Sequence, residues 1–125
     1  MATILIVDDE KPVRQFLVAA FQEEGHQVLE ASHGRDALSQ IASNSARPDL
    51  VISDVMMPLV GGVELCRTLK ADPSTADIPI VLMSAAHPRT SASAGADAII
   101  GKPFDLDTLD ALVHRLLSAR HEGAA

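Results

Sequence analysis

Five polar side chains in this sequence have the types and the placement to handle a phosphoryl group: Asp8, Asp9, Asp54, Ser84 and Lys102. Each follows a short apolar run, Ile4 to Val7 before the acidic pair, Leu50 to Ser53 before Asp54, Ile80 to Met83 before Ser84, and Ala98 to Ile100 before Gly101-Lys102-Pro103. Carboxylates packed together resist ionising together, so three of them in one place call for a cation. Mg2+ suits that role, since it takes one or two carboxylates, keeps several waters and completes its shell with phosphate oxygens. Lysine supplies a mobile point charge and a serine hydroxyl can donate to a phosphoryl oxygen. Asp54, central between the acidic pair and Lys102, is the candidate nucleophile, because a carboxylate can carry a phosphoryl group covalently. Mg2+ would neutralise charge on the moving group and Lys102 would hold its far oxygen.

Taken singly, each pick has a plainer reading: Asp8-Asp9 as a helix cap, Ser84 as a turn hydroxyl, Lys102 as a solvated lysine. Their joint meaning depends on the elements that carry them. Apolar runs of strand length alternate with helical periodicity along the whole chain. Strands are expected at Ile4 to Val7, Gln27 to Ala31, Leu50 to Ser53, Ile80 to Met83 and Ala98 to Ile100. Pro12 is placed where an early helical proline is tolerated. Val13, Phe16, Leu17, Ala20 and Phe21 then form one apolar face, and Gly25 closes the helix. A second helix is expected from Gly34 to Asn44 with Ala37, Leu38, Ile41 and Ala42 inward, and a third burying Leu65, Cys66 and Leu69. Pro88 and the small residues Ser91 to Ala94 predict a short, weak fourth helix. The last helix is expected to start near Asp105, with Leu106, Leu109, Leu112, Val113, Leu116 and Leu117 as its stripe, and His121 to Ala125 as a frayed tail.

Strict β-α alternation implies a parallel sheet with right-handed crossovers and helices on both faces, a doubly wound α/β fold. In such a sheet all carboxyl ends point the same way, so the five side chains gather along one rim, where ligands bind.

The chain has 125 residues, 47% of them hydrophobic and 22% charged, which reads as one globular domain. A net charge of −7 argues against a nucleic-acid surface, which needs clustered Lys and Arg. It suits a site that collects cations. The lone cysteine, Cys66, excludes an internal disulfide and fits a reducing cytosol, with small core filler as its expected role. No apolar run is long enough to span a bilayer and no secretory leader is visible, so the expectation is a cytoplasmic protein without membrane contact. Three Phe and no Tyr or Trp weaken any case for a flat cofactor held by stacking. His26, His33, His87, His114 and His121 show no metal-ligand spacing and read as surface residues.

Ile4-Leu5-Ile6-Val7-Asp8-Asp9-Glu10, Asp54-Val55-Met56-Met57-Pro58 and Lys102-Pro103-Phe104, with Ser84 between, resemble the signature blocks of response-regulator receiver domains of two-component signalling. The resemblance covers essentially the whole chain. It implies a flavodoxin-like (βα)5 fold with strand order 2-1-3-4-5, a receiver domain over residues 1–121 and a tail over 122–125. It implies Asp54 as phosphoacceptor from a phosphohistidine on a sensor kinase or phosphotransfer protein. Mg2+ is then held by Asp9 directly, Asp8 largely through water, Asp54 and the backbone carbonyl of Met56. Ser84 is the hydroxyl that moves to the phosphoryl group, and the Lys102–Pro103 bond is cis. The output is a changed surface read by a downstream protein, with homodimerisation allowed, so the chain is a switch rather than an enzyme with external substrates.

Departures from the family accompany the match. Ile99 stands where an aromatic usually swings inward, so the switch readout at this position differs. The interval from Ser84 to Lys102 is about one helical turn short, which predicts a truncated fourth helix. The competing class is a Mg2+-dependent phosphohydrolase working through an aspartyl phosphate. Such enzymes usually carry Asp-x-Asp on the first strand and a cap insertion, and neither is visible here. A flavin-binding module is weaker still.

Overall fold

The computed structural model describes residues 2–43, 47–57, 59–85 and 95–124. In chain order these form Thr3–Val7 (β1), Lys11–Glu23 (α1), Gln27–Ala31 (β2), Gly34–Ser43 (α2), Leu50–Asp54 (β3), Gly62–Ala71 (α3), Ile80–Ser84 (β4), Ala98–Gly101 (β5) and Leu106–Ala124 (α4). The strands make one parallel sheet in the order β2-β1-β3-β4-β5, the flavodoxin-like order implied by the resemblance.

Period-two alternation sorts the strand residues between two cores. Leu5, Val7, Val51, Ile80 and Leu82 face Ala37 of α2 and Leu65, Cys66 and Leu69 of α3. Ile4, Ile6, Leu50, Ile52, Val81 and Met83 face Leu17 and Phe21 of α1 and Leu109 and Val113 of α4. Each fully buried aliphatic side chain contributes roughly 1.5–3 kcal/mol relative to exposure. The central strands β1, β3 and β4, buried on both faces, therefore carry most of the stability, whereas the edge strand β2 buries only Ala31 fully.

Local chemistry explains the element ends. Pro occupies the first turn of α1, and Gly25, at φ +97°, closes it with its N–H on Gln22 O at 3.0 Å. After α3, Asp72 Oδ1 accepts the Ser74 N–H at 2.9 Å, and the Thr75 hydroxyl donates to Leu69 O at 2.6 Å. Asp105 Oδ1 accepts from Asp107 N at 3.3 Å at the start of α4. At the head of β5, Asp97 Oδ2 takes both the Lys70 ammonium and the Ile80 N–H at 2.8 Å, which fixes where that strand begins.

Several expectations change. Phe16 is 57% exposed, because the buried stripe of α1 runs through Leu17 and Phe21 and leaves Phe16 on its flank. Ala42 is exposed on the last turn of α2. The α4 backbone stays helical to Ala124, past His121, where a frayed tail was expected. Nothing before Gly123 interrupts the local i to i−4 ladder, and a final turn tolerates glycine. The fourth helix expected over Pro88 to Ala94 lies outside the described residues.

Cys66 is fully buried in α3, as a core filler should be. Burial pushes its thiol above the usual range, more than the Lys70 charge draws it back, and Asp97 adds to the rise. The native protein is therefore expected to react with a thiol reagent far more slowly than the urea-unfolded chain. Equal labelling rates would contradict the packing of α3.

Candidate functional site

Asp8 and Asp54 follow Ile6 and Ile52 by two residues, so alternation sends both toward the α1 and α4 side of the sheet. β1 and β3 are neighbours, paired Ile6 to Ile52, and the two carboxylates end up side by side at the carboxyl edge. Both are withdrawn from water, Asp8 at 0% and Asp54 at 5% exposure.

The backbone around them is tightly held. Asp8 Oδ1 accepts the Glu10 N–H at 2.9 Å, and Arg14 donates to Asp8 O at 2.8 Å while pairing with Glu30. Asp54 Oδ1 accepts the N–H of Val55 at 3.1 Å. Gly62 N donates to Val55 O at 2.9 Å, folding the β3-α3 loop back against β3. A Cβ at Gly62 would stand 2.2 Å from Asp54 O and 2.9 Å from Val55 Cα, backbone atoms that cannot swing aside. Gly62→Ala is expected to cost roughly 1–3 kcal/mol and to displace Asp54. A urea midpoint equal to wild type would show that the approach is slack.

Lys102 reaches the edge from β5. Its N–H donates to Ser84 O at 2.8 Å beside the Ser84–Gly101 pairing, and its bond to Pro103 is cis. The ammonium lies 3.1 Å from Asp54 Oδ1, 3.6 Å from Asp8 Oδ2 and 3.9 Å from Glu10 Oε1. Asp54 has its pKa raised, first by burial, with Asp8 and Asp9 adding repulsion and Lys102 opposing them. For Lys102, burial pulls downward, but the bond to Asp54 and the charges of Asp54, Asp8 and Glu10 outweigh it and the ammonium is strengthened.

Asp8, Glu10 and Asp54 each place a carboxylate oxygen within 4.8 Å of the others. Asp8 Oδ2 is buried and accepts no hydrogen bond among the described residues. A buried anionic oxygen left this way, in an all-oxygen set, fits a hard divalent cation. Asp9 is exposed and stays outside that triad, though its charge is felt at Asp54. Ser84, 2% exposed, ends β4 one position past the Met83 that pairs with Asp54. Met56 is exposed in the loop after Asp54. Ile99 is half-buried against the α2-α3 core, away from the carboxylates.

Glu10 was not singled out by the sequence. Its signal is the unbroken acidic run Asp8-Asp9-Glu10, but which of three adjacent acids turn inward depends on the bend into α1.

Comparison with known proteins places the chain in a family. The profile of the response regulator receiver domain matches residues 4–114. Response regulator MprA of Mycolicibacterium vanbaalenii is 42% identical over 121 residues, covering 91% of this chain and 49% of that protein. The phosphate regulon transcriptional regulatory protein PhoB of Pseudomonas aeruginosa is 41% identical over 106 residues, covering 82% of this chain and 45% of that protein. The chain thus spans about half the length of these curated relatives. The crystal structure of response regulator TrrA from Thermotoga maritima in complex with Mg2+ and BeF superposes with a TM-score of 0.81 at 36% identity, over 93% of this chain and 99% of that one. No helix among the described residues is long and apolar enough to cross a membrane. On the profile match, the relatives and the fold, this chain belongs to the response-regulator receiver domain family of two-component signalling.

Proposed function

We propose that the chain is a phosphorylation switch in which Asp54 accepts a phosphoryl group from a phosphohistidine on a sensor kinase or phosphotransfer protein. The observation that carries this is the buried Asp8–Asp54 pair facing one ammonium, with Lys102 3.1 Å from Asp54 Oδ1 and Asp8 Oδ2 left without a hydrogen bond among the described residues. A carboxylate oxygen of Asp54 attacks phosphorus as the P–N bond of the donor breaks, and the imidazole nitrogen keeps the bonding pair and is left to take a proton. Lys102 then exchanges its bond to Asp54 for one to a phosphoryl oxygen. Ser84, carried on β4 beside it, donates its hydroxyl to a second.

Asp8, Asp9, Asp54 and the Met56 carbonyl would hold a Mg2+ ion, with Glu10 close by. The ion supplies neutralising charge for the transferred group. The modification adds about −1.5 to −2 charges at the carboxyl edge of the sheet, and Ser84 at the end of β4 turns toward it. A downstream protein, or a second copy of the chain, reads the changed surface, with Ile99 in place of the usual aromatic. The relatives named as regulators support a signalling output, as does the TrrA complex with Mg2+ and BeF.

Incubation with Mg2+ and acetyl phosphate, followed by peptide mass mapping, tests the proposal. One phosphoryl adduct on the peptide containing Asp54 is expected. Catalytic turnover of external phosphomonoesters without a lasting adduct would instead identify a phosphohydrolase.

A further inference from the structure

A second cluster of ligand-type side chains lies at the opposite end of the sheet from Asp54. Glu24 follows α1, His26 immediately precedes β2, and Asp110 and His114 stand one turn apart on α4. Glu24, His26 and His114 each offer a ligand atom within 4.8 Å of the others. His114 Nε2 lies 3.0 Å from Glu24 Oε1 and 3.4 Å from Asp110 Oδ1. The two imidazoles meet edge to face with centroids 6.2 Å apart.

One Nε2–H can satisfy only one of the two carboxylates. Glu24 takes that bond, and Asp110 Oδ1 is left buried with no hydrogen-bond partner among the described residues. A bound cation is one recognised reason for such an orphan. The distances also fit. Zn2+ holds nitrogen and oxygen ligands at about 2.0–2.1 Å in a tetrahedron, so neighbouring ligand atoms stand about 3.3 Å apart. The separations of 3.0 and 3.4 Å at His114 bracket that edge length.

We infer that Glu24, His26, Asp110 and His114 form a Zn2+ site. Two imidazoles and two carboxylates make a mixed nitrogen-oxygen set that suits Zn2+, whereas the all-oxygen set around Asp54 suits Mg2+. The two ends of the sheet therefore select different metals. Glu24, His26 and His114 already hold ligand atoms within 4.8 Å of one another, and Asp110, outside that group, must draw in from its place 3.4 Å from His114 Nε2. His26 Nδ1 at present accepts the Ala2 N–H at 3.2 Å. Coordination through Nδ1 replaces that bond, and coordination through Nε2 moves the ring proton to Nδ1 and displaces it as well. Zn2+ binding thus releases the Ala2 amide and staples the end of α1 and the start of β2 to α4.

Titration of the full chain with Zn2+ by calorimetry, in buffer already saturated with Mg2+, tests this inference. One Zn2+ per chain is expected. His114→Ala and His26→Ala should each weaken binding by roughly tenfold or more, with circular dichroism confirming that both variants stay folded. Asp54→Asn should bind Zn2+ as wild type does. In amide NMR spectra Zn2+ should shift Ala2 and the residues flanking His26 and His114. Absence of binding, wild-type binding by either histidine variant, or loss of binding in Asp54→Asn would each overturn the assignment, the last two because the ion would then be held elsewhere.

Discussion

Asp54→Asn is expected to give no acetyl phosphate adduct and, in EDTA at pH 7, to melt at a higher temperature than wild type. The first result follows because the amide has no anionic oxygen to attack phosphorus. The second follows from linkage. Burial, reinforced by Asp8 and Asp9, raises the carboxyl pKa of Asp54 above its ordinary 3.8 despite the opposing Lys102 ammonium. Below 3.8 the acid is protonated in both the folded and the unfolded chain, and it costs nothing. As pH rises through that value the unfolded chain ionises freely while the folded one resists, so a penalty grows and levels off above the folded pKa. Asparagine mimics the protonated acid at every pH. The advantage of the variant is therefore full at pH 7 and should vanish as the pH falls below the ordinary aspartate range. Mg2+ should raise the wild-type melting temperature more than that of the variant. Thermal melts at several pH values with and without Mg2+ check all three statements, and a variant less stable than wild type at pH 7 in EDTA would mean that the Lys102 pair outweighs burial.

Lys102→Ala is expected to slow phosphorylation by roughly 100-fold or more, the usual scale for removing one group aimed at developing charge. The ammonium sits 3.1 Å from the Asp54 carboxylate, so it needs only a short move to reach a phosphoryl oxygen placed there. Its loss also leaves Asp8, Glu10 and Asp54 facing one another without a cation. Mg2+ should accordingly bind the variant more tightly than wild type, although transfer is slower. These opposite changes separate a positioning defect from general damage, which would weaken both. Titration of Mg2+ and the rate of adduct formation, measured on the same preparation, decide between them.

Glu10 and the histidine cluster show where legibility along the chain stops. Asp8, Asp9, Asp54, Ser84 and Lys102 could be picked out because each terminates an apolar run, and the run is a local signal. Glu10 could not be separated from its two acidic neighbours, since the turn into α1 decides which of them faces Lys102. Glu24 and His114 are 90 positions apart, and no spacing rule connects them. Phe16 fitted the helical period of α1 yet is 57% exposed, because periodicity defines a stripe but not its edges.

By itself, the amino-acid order determined the alternation of strands and helices, the parallel doubly wound architecture and the side chains gathered at its carboxyl rim. These depend on hydrophobic period and on residues adjacent in the chain. Tertiary structure alone decided that Lys102 pairs with Asp54 at 3.1 Å, that Asp8 Oδ2 is buried without a hydrogen bond among the described residues, that Gly62 leaves no room beside Asp54, and that α1, β2 and α4 bring two histidines and two carboxylates together. Such facts depend on distances between segments far apart in sequence, which are set by how two cores pack on one sheet.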